Sequence, residues 1–216
     1  MGQIFHPSSN TTSKFLFYGG IFIIIGLFAA WDLFLRSPYV TGVGQPIEQT
    51  VPFSHKHHVQ QLGIDCRYCH TSVETSAFAG IPPTKTCMNC HAQIWNDAPI
   101  LAPVRESFSS GKPLKWTRVH DAPDFVFFDH SIHIARGVGC VSCHGQVDDM
   151  PLMWKANTLH MQWCLDCHRH PEKFVRPKDK VFDMRWERPH GTNDIGKQLV
   201  EEYGIVSQTS CSVCHR

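Results

Sequence analysis

All ten cysteines of this 216-residue chain fall into five pentapeptides of the form Cys-x-x-Cys-His. The pentapeptides, numbered here as the first to fifth motifs, occupy residues 66–70, 87–91, 140–144, 164–168 and 211–215. This spacing is the attachment signature of c-type haem: two thiols form thioethers with the haem vinyl groups, and the histidine ligates the iron. The sequence therefore predicts five covalently bound haem c groups and one-electron chemistry.

Two other uses of paired cysteines explain the pattern less well. A zinc site joins two Cys-x-x-Cys knuckles around one metal, and five knuckles leave one without a partner. A disulfide framework gives no reason for a histidine at the same offset in every copy. The predicted thioether residues are Cys66, Cys69, Cys87, Cys90, Cys140, Cys143, Cys164, Cys167, Cys211 and Cys214. The predicted proximal iron ligands are His70, His91, His144, His168 and His215.

An internal repeat suggests the second axial ligands. The pattern Phe-x-His-x-x-His occurs at residues 53–58 and again at 128–133, and each copy is followed by two motifs. Histidines three positions apart share one face of a helix at different heights, so each pair can serve two irons. One further histidine precedes the second copy. The predicted distal ligands are His55, His58, His120, His130 and His133.

Weaker ligand candidates lie close to the fourth motif. His160 stands just before that motif, and Met153 or Met150 would replace one of the histidines. A methionine ligand would raise the reduction potential of its haem relative to two histidines, whereas the ordinary role of these methionines is core packing. His170 and His190 are the remaining, less favoured candidates.

The N-terminus predicts a membrane anchor. The stretch 15–31 contains no charged residue and continues to Leu35, which is long enough to cross a bilayer as a helix. It exceeds the apolar region of most cleaved signal peptides, so we expect an uncleaved signal anchor at 15–36. Because haem c is attached outside the cytoplasmic membrane, residues 1–14 should be cytoplasmic and 37–216 periplasmic.

The haem domain should consist mostly of helix and irregular chain with little sheet. Short helices should carry the motifs, because each histidine must lie near both cysteines. Frequent prolines break the chain elsewhere, and we expect residues 98–123 to be irregular and 195–203 to be helical. The predicted organisation is two di-haem repeats at 53–91 and 128–168, with a fifth haem at 195–216. A formal net charge of only +1 excludes a nucleic-acid-binding surface.

These residues resemble a known family. The Phe-x-His-x-x-His pattern before Cys-x-x-Cys-His is similar to class III cytochromes c. The wider layout resembles the membrane-anchored pentahaem cytochrome c subunit of alternative complex III, a bacterial quinol-oxidising complex. The segments that carry this resemblance are the anchor, FSHKHHVQQLGIDCRYCH, RVHDAPDFVFFDHSIH, MQWCLDCHRHPEKFVRP and TSCSVCHR.

The resemblance implies a fold, a role and partners. His55 would ligate the haem of Cys66 and Cys69, and His130 that of Cys140 and Cys143. The chain would be a class III-like electron relay, not an enzyme, that passes electrons to a periplasmic cytochrome or a terminal oxidase. Its partners would be an iron–sulfur/molybdopterin-like protein, polytopic quinol-binding subunits, a monohaem cytochrome c and membrane lipid.

Two rival functions stay open at this point. A stand-alone quinol dehydrogenase would feed a single periplasmic reductase and would purify with it. A multihaem reductase would need one iron with an open distal position, although enough histidines are present to fill all five.

Overall fold

The computed structural model describes residues 4–189 and 193–215. The chain divides into two compact units, Met1–Val43 and Gly44–Arg216. All five motifs lie in the second unit, so the predicted anchor and the predicted haem domain fall into different units.

The first unit is dominated by one long helix. Helix α1, Ser8–Arg36, has 29 residues, none of them buried, and is long and apolar enough to cross a membrane. Arg36 closes its last turn and pairs with Asp32 one turn earlier, with 3.0 Å between Nε and a carboxylate oxygen. The short helix α2, Pro38–Thr41, ends at Gly42, whose φ of 68° is the left-handed cap that glycine favours.

The second unit is a set of short helices joined by irregular chain. Between 44 and 189 and from 193 to 215 there is no strand longer than an isolated bridge. Two antiparallel bridges join Pro46 with Trp154 and Val138 with Val175. The prediction of a mostly helical and irregular fold with little sheet is therefore confirmed for the described residues. The α-helices are α3 (Cys66–Cys69), α4 (Thr84–His91), α5 (Ala102–Ser110), α6 (His130–Ala135), α7 (Cys140–His144), α8 (Met161–Arg169), α9 (Asn193–Glu202) and α10 (Cys211–Cys214).

One secondary-structure expectation was wrong. The connection 98–123 was expected to be irregular because of its prolines, but it contains a 3₁₀ turn, Pro99–Leu101, and helix α5. Pro99 and Pro103 lie in the first turn of the 3₁₀ turn and of helix α5, respectively. A backbone N–H at these positions would have no intrahelical acceptor, so proline costs no hydrogen bond there. The helix expected at 195–203 is present as α9, two residues earlier at its start.

The apolar core is small and divided. One cluster of buried side chains consists of Val51, Leu101 and Val104, and it packs against Cys87 of the second motif. The other consists of Val175, Leu199 and Tyr203. Many large apolar side chains near the motifs are instead exposed, including Tyr68, Trp95 and Phe125. Such a surface is what a chain would present if porphyrin rings supplied most of its apolar interior.

Candidate haem-binding sites

Each motif lies on a helix, as the sequence predicts. In the first motif, Asp65 caps helix α3 by accepting the Arg67 backbone N–H at 2.8 Å. The His70 backbone N–H then donates to the Cys66 carbonyl at 2.9 Å, and His215 bonds the Cys211 carbonyl in the same way at 2.8 Å. This bond places the histidine one turn beyond the first cysteine, on the same side of the helix.

Six of the predicted ligand histidines share one tautomer. In each of them the ring Nδ1 lies between 2.6 and 3.1 Å from a backbone carbonyl. A carbonyl can only accept, so Nδ1–H donates and Nε2 is left with its lone pair. An imidazole held in this way is oriented for Nε2 ligation of a metal. The six residues are His58, His70, His91, His130, His133 and His215.

Three pairs of predicted distal and proximal ligands face each other. With a metal–nitrogen length of about 2 Å and half a ring of about 1.1 Å on each side, two imidazoles on one metal have centroids about 6 Å apart. The structure gives 6.2, 6.3 and 6.1 Å for three pairs. These pairs are His58 with His91, His130 with His144, and His133 with His168.

The phenylalanine of the repeat holds both of its histidines. Phe53 stacks on the ring of His58 at 4.3 Å and meets His55 edge to face at 4.9 Å. Phe128 does the same with His133 at 4.6 Å and His130 at 4.8 Å. The Phe-x-His-x-x-His repeat is therefore a structural repeat as well as a sequence repeat.

The two remaining distal candidates are buried. His55 Nδ1 and His120 Nε2 have no hydrogen-bond partner among the described residues. Burial lowers the pKa of each ring to about 4, so both are neutral at pH 7, which is the form that ligates iron. His70 lowers the pKa of His55 further, which agrees with His55 facing the first motif.

The ring of His120 lies beside the third motif. Its ring meets that of His144 edge to face, with centroids 4.3 Å apart, which is closer than two imidazoles on one iron would stand. The ring of His215 in the fifth motif stacks on Phe125 at 5.8 Å. The structure therefore places His58, His130 and His133 opposite motif histidines and His120 in contact with His144, which already faces His130.

The weaker candidates take other positions. Met150 is only 1 % exposed and packs as a core side chain, with its methyl group close to Gly145. Met153 is half-buried, and its carbonyl accepts the Ile47 N–H at 3.0 Å. His160 is exposed at the N-terminus of α8, and His170 lies 3.7 Å from the Glu172 carboxylate. His190 lies outside the described residues.

The alternatives to haem find little support in the geometry. None of the ten cysteines forms a disulfide bond. Within 4–189 and 193–215, no three His, Cys, Asp or Glu side chains converge as a tetrahedral zinc site would require. Paired imidazoles beside paired cysteines, with unoccupied nitrogens and exposed apolar surface, fit an iron porphyrin with two axial ligands.

Neighbouring motifs can be identified from contacts, beginning with the first three. The Asn89 side chain of the second motif donates to the Tyr68 hydroxyl of the first at 3.1 Å. Burial, and after it the thiol of Cys66, raise the pKa of Cys140 to about 11, so the first and third motifs adjoin. His130, which faces the third motif, donates to the Ala77 carbonyl just beyond the first.

The series continues to the fifth motif. Burial, and after it the thiol of Cys167, raise the pKa of Cys143 to about 12, so the third motif adjoins the fourth. Burial and the neighbouring Cys214 raise the pKa of Cys164. Ser207, shortly before the fifth motif, donates to the His168 carbonyl of the fourth at 2.7 Å. In space the motifs therefore follow the order second, first, third, fourth, fifth.

Comparison with known proteins relates the chain to cytochromes c. A family model described as cytochrome c7 and related cytochrome c matches residues 126–216, which include the third to fifth motifs. Over 201 residues the chain is 30% identical to the multiheme cytochrome c subunit of menaquinone reductase from Nitratidesulfovibrio vulgaris strain Hildenborough. This match covers 90% of the chain and 87% of that subunit.

Proposed function

The chain belongs to the multihaem c-type cytochromes, which bind haem c covalently, and on that basis we propose that it carries five haem c groups and relays electrons. The observation that carries this proposal is the set of three facing histidine pairs with centroids 6.1 to 6.3 Å apart. When bound, haem supplies a one-electron carrier that alternates between ferric and ferrous iron.

The chain's own residues would fix the carrier and keep it closed to substrates. Two thioethers and one proximal histidine would hold each group at its motif. His55, His58, His120, His130 and His133 would occupy the distal positions, and the carbonyl bonds to Nδ1 of His58, His130 and His133 would keep the Nε2 of these three available. With both axial positions filled, no iron would offer an open site for bond chemistry, so we propose a relay and not a reductase.

The order of the motifs supports a linear route. We infer that the second and fifth motifs form its two ends and that the third motif lies in its middle. Adjacent motifs are close enough for electrostatic interaction between their thiols or for hydrogen bonds between residues in or near them. A route of this kind needs no large movement of the protein, because each transfer takes place between fixed neighbours.

The relative and the anchor support a place in a membrane complex. Helix α1 fits single-pass anchoring in the cytoplasmic membrane, and the relative is named as a subunit of a menaquinone reductase. We propose that the haem unit lies on the periplasmic side. We further propose partners of the alternative complex III type: an iron–sulfur/molybdopterin-like protein, polytopic quinol-binding subunits and a monohaem cytochrome c.

Two directions of electron flow are compatible with such a complex. In the first, quinol oxidised in a partner subunit reduces the chain, which then reduces a periplasmic cytochrome or a terminal oxidase. In the second, the chain delivers electrons toward menaquinone, and the 30% identity to a menaquinone reductase subunit favours this candidate.

The relay itself is tested by mass, spectra and ligand binding. The mature chain should exceed its polypeptide mass by five haems, and every haem should be low-spin and unreactive toward carbon monoxide. A deficit in mass would contradict the five-haem proposal, and a high-spin haem that binds nitrite would favour a reductase instead.

The direction is tested on the complex purified from native membranes through a tag on this chain. Reduction of its haems by a quinol would support the first direction, and oxidation of pre-reduced haems by a menaquinone analogue the second. Purification with a single soluble reductase and no polytopic subunit would overturn both proposals in favour of a stand-alone quinol dehydrogenase.

A further inference from the structure

Arg176 is a buried cation without a carboxylate partner. The residue is 6 % exposed, and its guanidinium donates only to backbone carbonyls, those of Asp183 at 3.0 Å and Lys180 at 3.4 Å. Its Nε is buried without an acceptor, and within the described residues no carboxylate lies within ion-pair distance of it. The ring of Trp186, 5.0 Å from Cζ, covers one side.

The backbone holds this guanidinium against the third motif. The Arg176 N–H donates to the Gly137 carbonyl at 2.9 Å, and the bridge between Val138 and Val175 fixes the two segments side by side. A Cβ at position 139 would lie 2.5 Å from the guanidinium carbon, so glycine is required there. Gly139 immediately precedes Cys140, and the charge therefore lies beside the attachment point of the third motif.

The positive charge of Arg176 acts electrostatically on the Cys140 sulfur of the third motif. Burial and Cys66 raise the pKa of the Cys140 thiol, and the nearby Arg176 cation acts in the opposite direction. A thioether formed by Cys140 carries no charge, so after haem attachment Asp183 would be the carboxylate of this chain that still acts on the cation. An arginine keeps its proton even where burial lowers its pKa.

The equivalent position in the first repeat is built differently. There the first cysteine is preceded by Asp65, which pairs with Arg67 at 2.8 Å, and both side chains are about half exposed. That pair is nearly neutral as a unit and is screened by water. Compared with the first motif, the third thus combines a neighbouring cation with burial and with the lack of an ion-pair partner.

We propose that Arg176 raises the reduction potential of the haem held by Cys140 and Cys143 above that of its neighbours. Reduction removes one positive charge from the iron, so a fixed cation in a medium of low dielectric stabilises the reduced state. The inference rests on the proposed function, because it requires a haem at the third motif. A raised potential at the third haem would make the middle of the proposed route the position where an electron resides longest.

The test is a potentiometric titration of the full-length, membrane-extracted protein, followed haem by haem through its paramagnetic NMR methyl signals. At the wild-type midpoint of the third haem, Arg176→Gln should lower the ratio of reduced to oxidised haem about tenfold, a shift of about 59 mV for one electron. Arg176→Lys keeps the charge and should change the ratio less than about threefold. Arg118→Gln, which removes an exposed and ion-paired arginine, should leave it unchanged.

A second variant acts in the opposite direction and does not depend on the folding of an Arg176 variant. The Asp183 carboxylate is the acidic group that acts on the Arg176 cation, so Asp183→Asn should raise the same potential. If Arg176→Lys shifts the potential as much as Arg176→Gln, or if Asp183→Asn lowers it, the proposal is overturned.

The failure of the inference can be told apart from the failure of the proposed function. The haem content of each variant is measured by mass before titration. Five haems with an unchanged third potential in Arg176→Gln would refute the role of Arg176 alone, whereas a wild-type chain without haem at the third motif would refute the relay itself.

Discussion

The imidazole rings of His130 and His144 lie 10° from parallel, with their centroids 6.3 Å apart. One turn further along helix α6, His133 faces His168 at 6.1 Å. A single helix of six residues therefore presents one histidine to the third motif and one to the fourth, because positions three apart lie on one face at different heights. This arrangement ties neighbouring motifs together by a rigid element.

Replacing His130 should leave one of the five irons without its distal ligand. Without that imidazole, His130→Ala should convert one haem, about a fifth of the total, to a high-spin form that binds carbon monoxide. Electron paramagnetic resonance counts high-spin iron, and titration with carbon monoxide counts open sites. Five low-spin haems in this variant would remove His130 from the ligand set.

The matched control for that experiment lies in the other repeat. His57 occupies the position that Ile132 occupies in the second copy, and its Nδ1 lies 2.8 Å from the Gln61 side-chain oxygen. His57→Ile should leave every haem low-spin and all five haems bound. A high-spin signal in this control would show that loss of any histidine from the pattern disturbs the site, and the His130 result would then not identify a ligand.

His120 offers a separate test, because its ring contacts His144 at 4.3 Å and its buried Nε2 has no partner. If His120 ligates an iron, His120→Ala should produce one high-spin haem, and His120→Met should restore a low-spin haem with a higher potential. Near-infrared charge-transfer bands distinguish methionine from histidine ligation. A fully low-spin His120→Ala protein would assign this residue to packing against His144, and its fifth distal ligand would have to be sought elsewhere, with His160 and Met153 as the first candidates.

Much of the candidate haem site could be predicted from the sequence, because haem attachment and iron ligation depend on particular residue types at fixed spacings. The motifs and the repeat specify which cysteines and histidines belong together, and the fold class predicted from them is confirmed. The order of the motifs could not be read, since the contact between Cys66 and Cys140 depends on how distant segments pack. The ligand assignments stay predictions.

The carbonyl groups that fix the histidine tautomers could not be predicted from the sequence either. Every residue carries the same carbonyl, so nothing in the sequence marks Gly80 or Ala77 as an acceptor. Only the local bonds could have been anticipated. His58 donates to the Ser54 carbonyl and His133 to that of Asp129, each four residues earlier, which follows from the helical position of the repeat.

An ion-pair network with one buried carboxylate should make stability depend on pH. Arg185 donates to Asp148 and to Asp149 at 2.8 Å each, and the Asp148 side chain is only 6 % exposed. Arg185→Gln would leave that carboxylate buried without its charge partner, which is strongly unfavourable. The variant should unfold at a lower denaturant concentration than the wild type at pH 7, whereas Asp149→Asn, which removes the exposed partner, should have a much smaller effect.

The sign of the pH effect follows from Asp149, whose pKa the Arg185 hydrogen bond holds below its ordinary value of 3.8. A depressed native pKa stabilises the fold above the unfolded value, and this stabilisation is lost as the pH falls through the native value. The small difference in unfolding midpoint between wild type and Asp149→Asn should therefore be fully present at pH 7 and should shrink below about pH 4. A difference that stays constant down to pH 2 would show that packing, and not charge, accounts for the loss.

The first unit should be needed for anchoring but not for haem binding, because residues 1–43 and 44–216 form separate compact units. A chain that begins at residue 44 behind a cleavable periplasmic signal peptide should be recovered from the soluble periplasmic fraction with the same haem-to-protein ratio as the full-length chain. Its visible spectrum should also match. A control that carries residues 1–43 with Ile23→Arg and Ile25→Arg should weaken membrane retention, since charges near the middle of an apolar helix oppose insertion by about 3 kcal/mol each. Recovery of the truncated chain in the membrane fraction would mean that a second surface, and not helix α1 alone, holds the protein there.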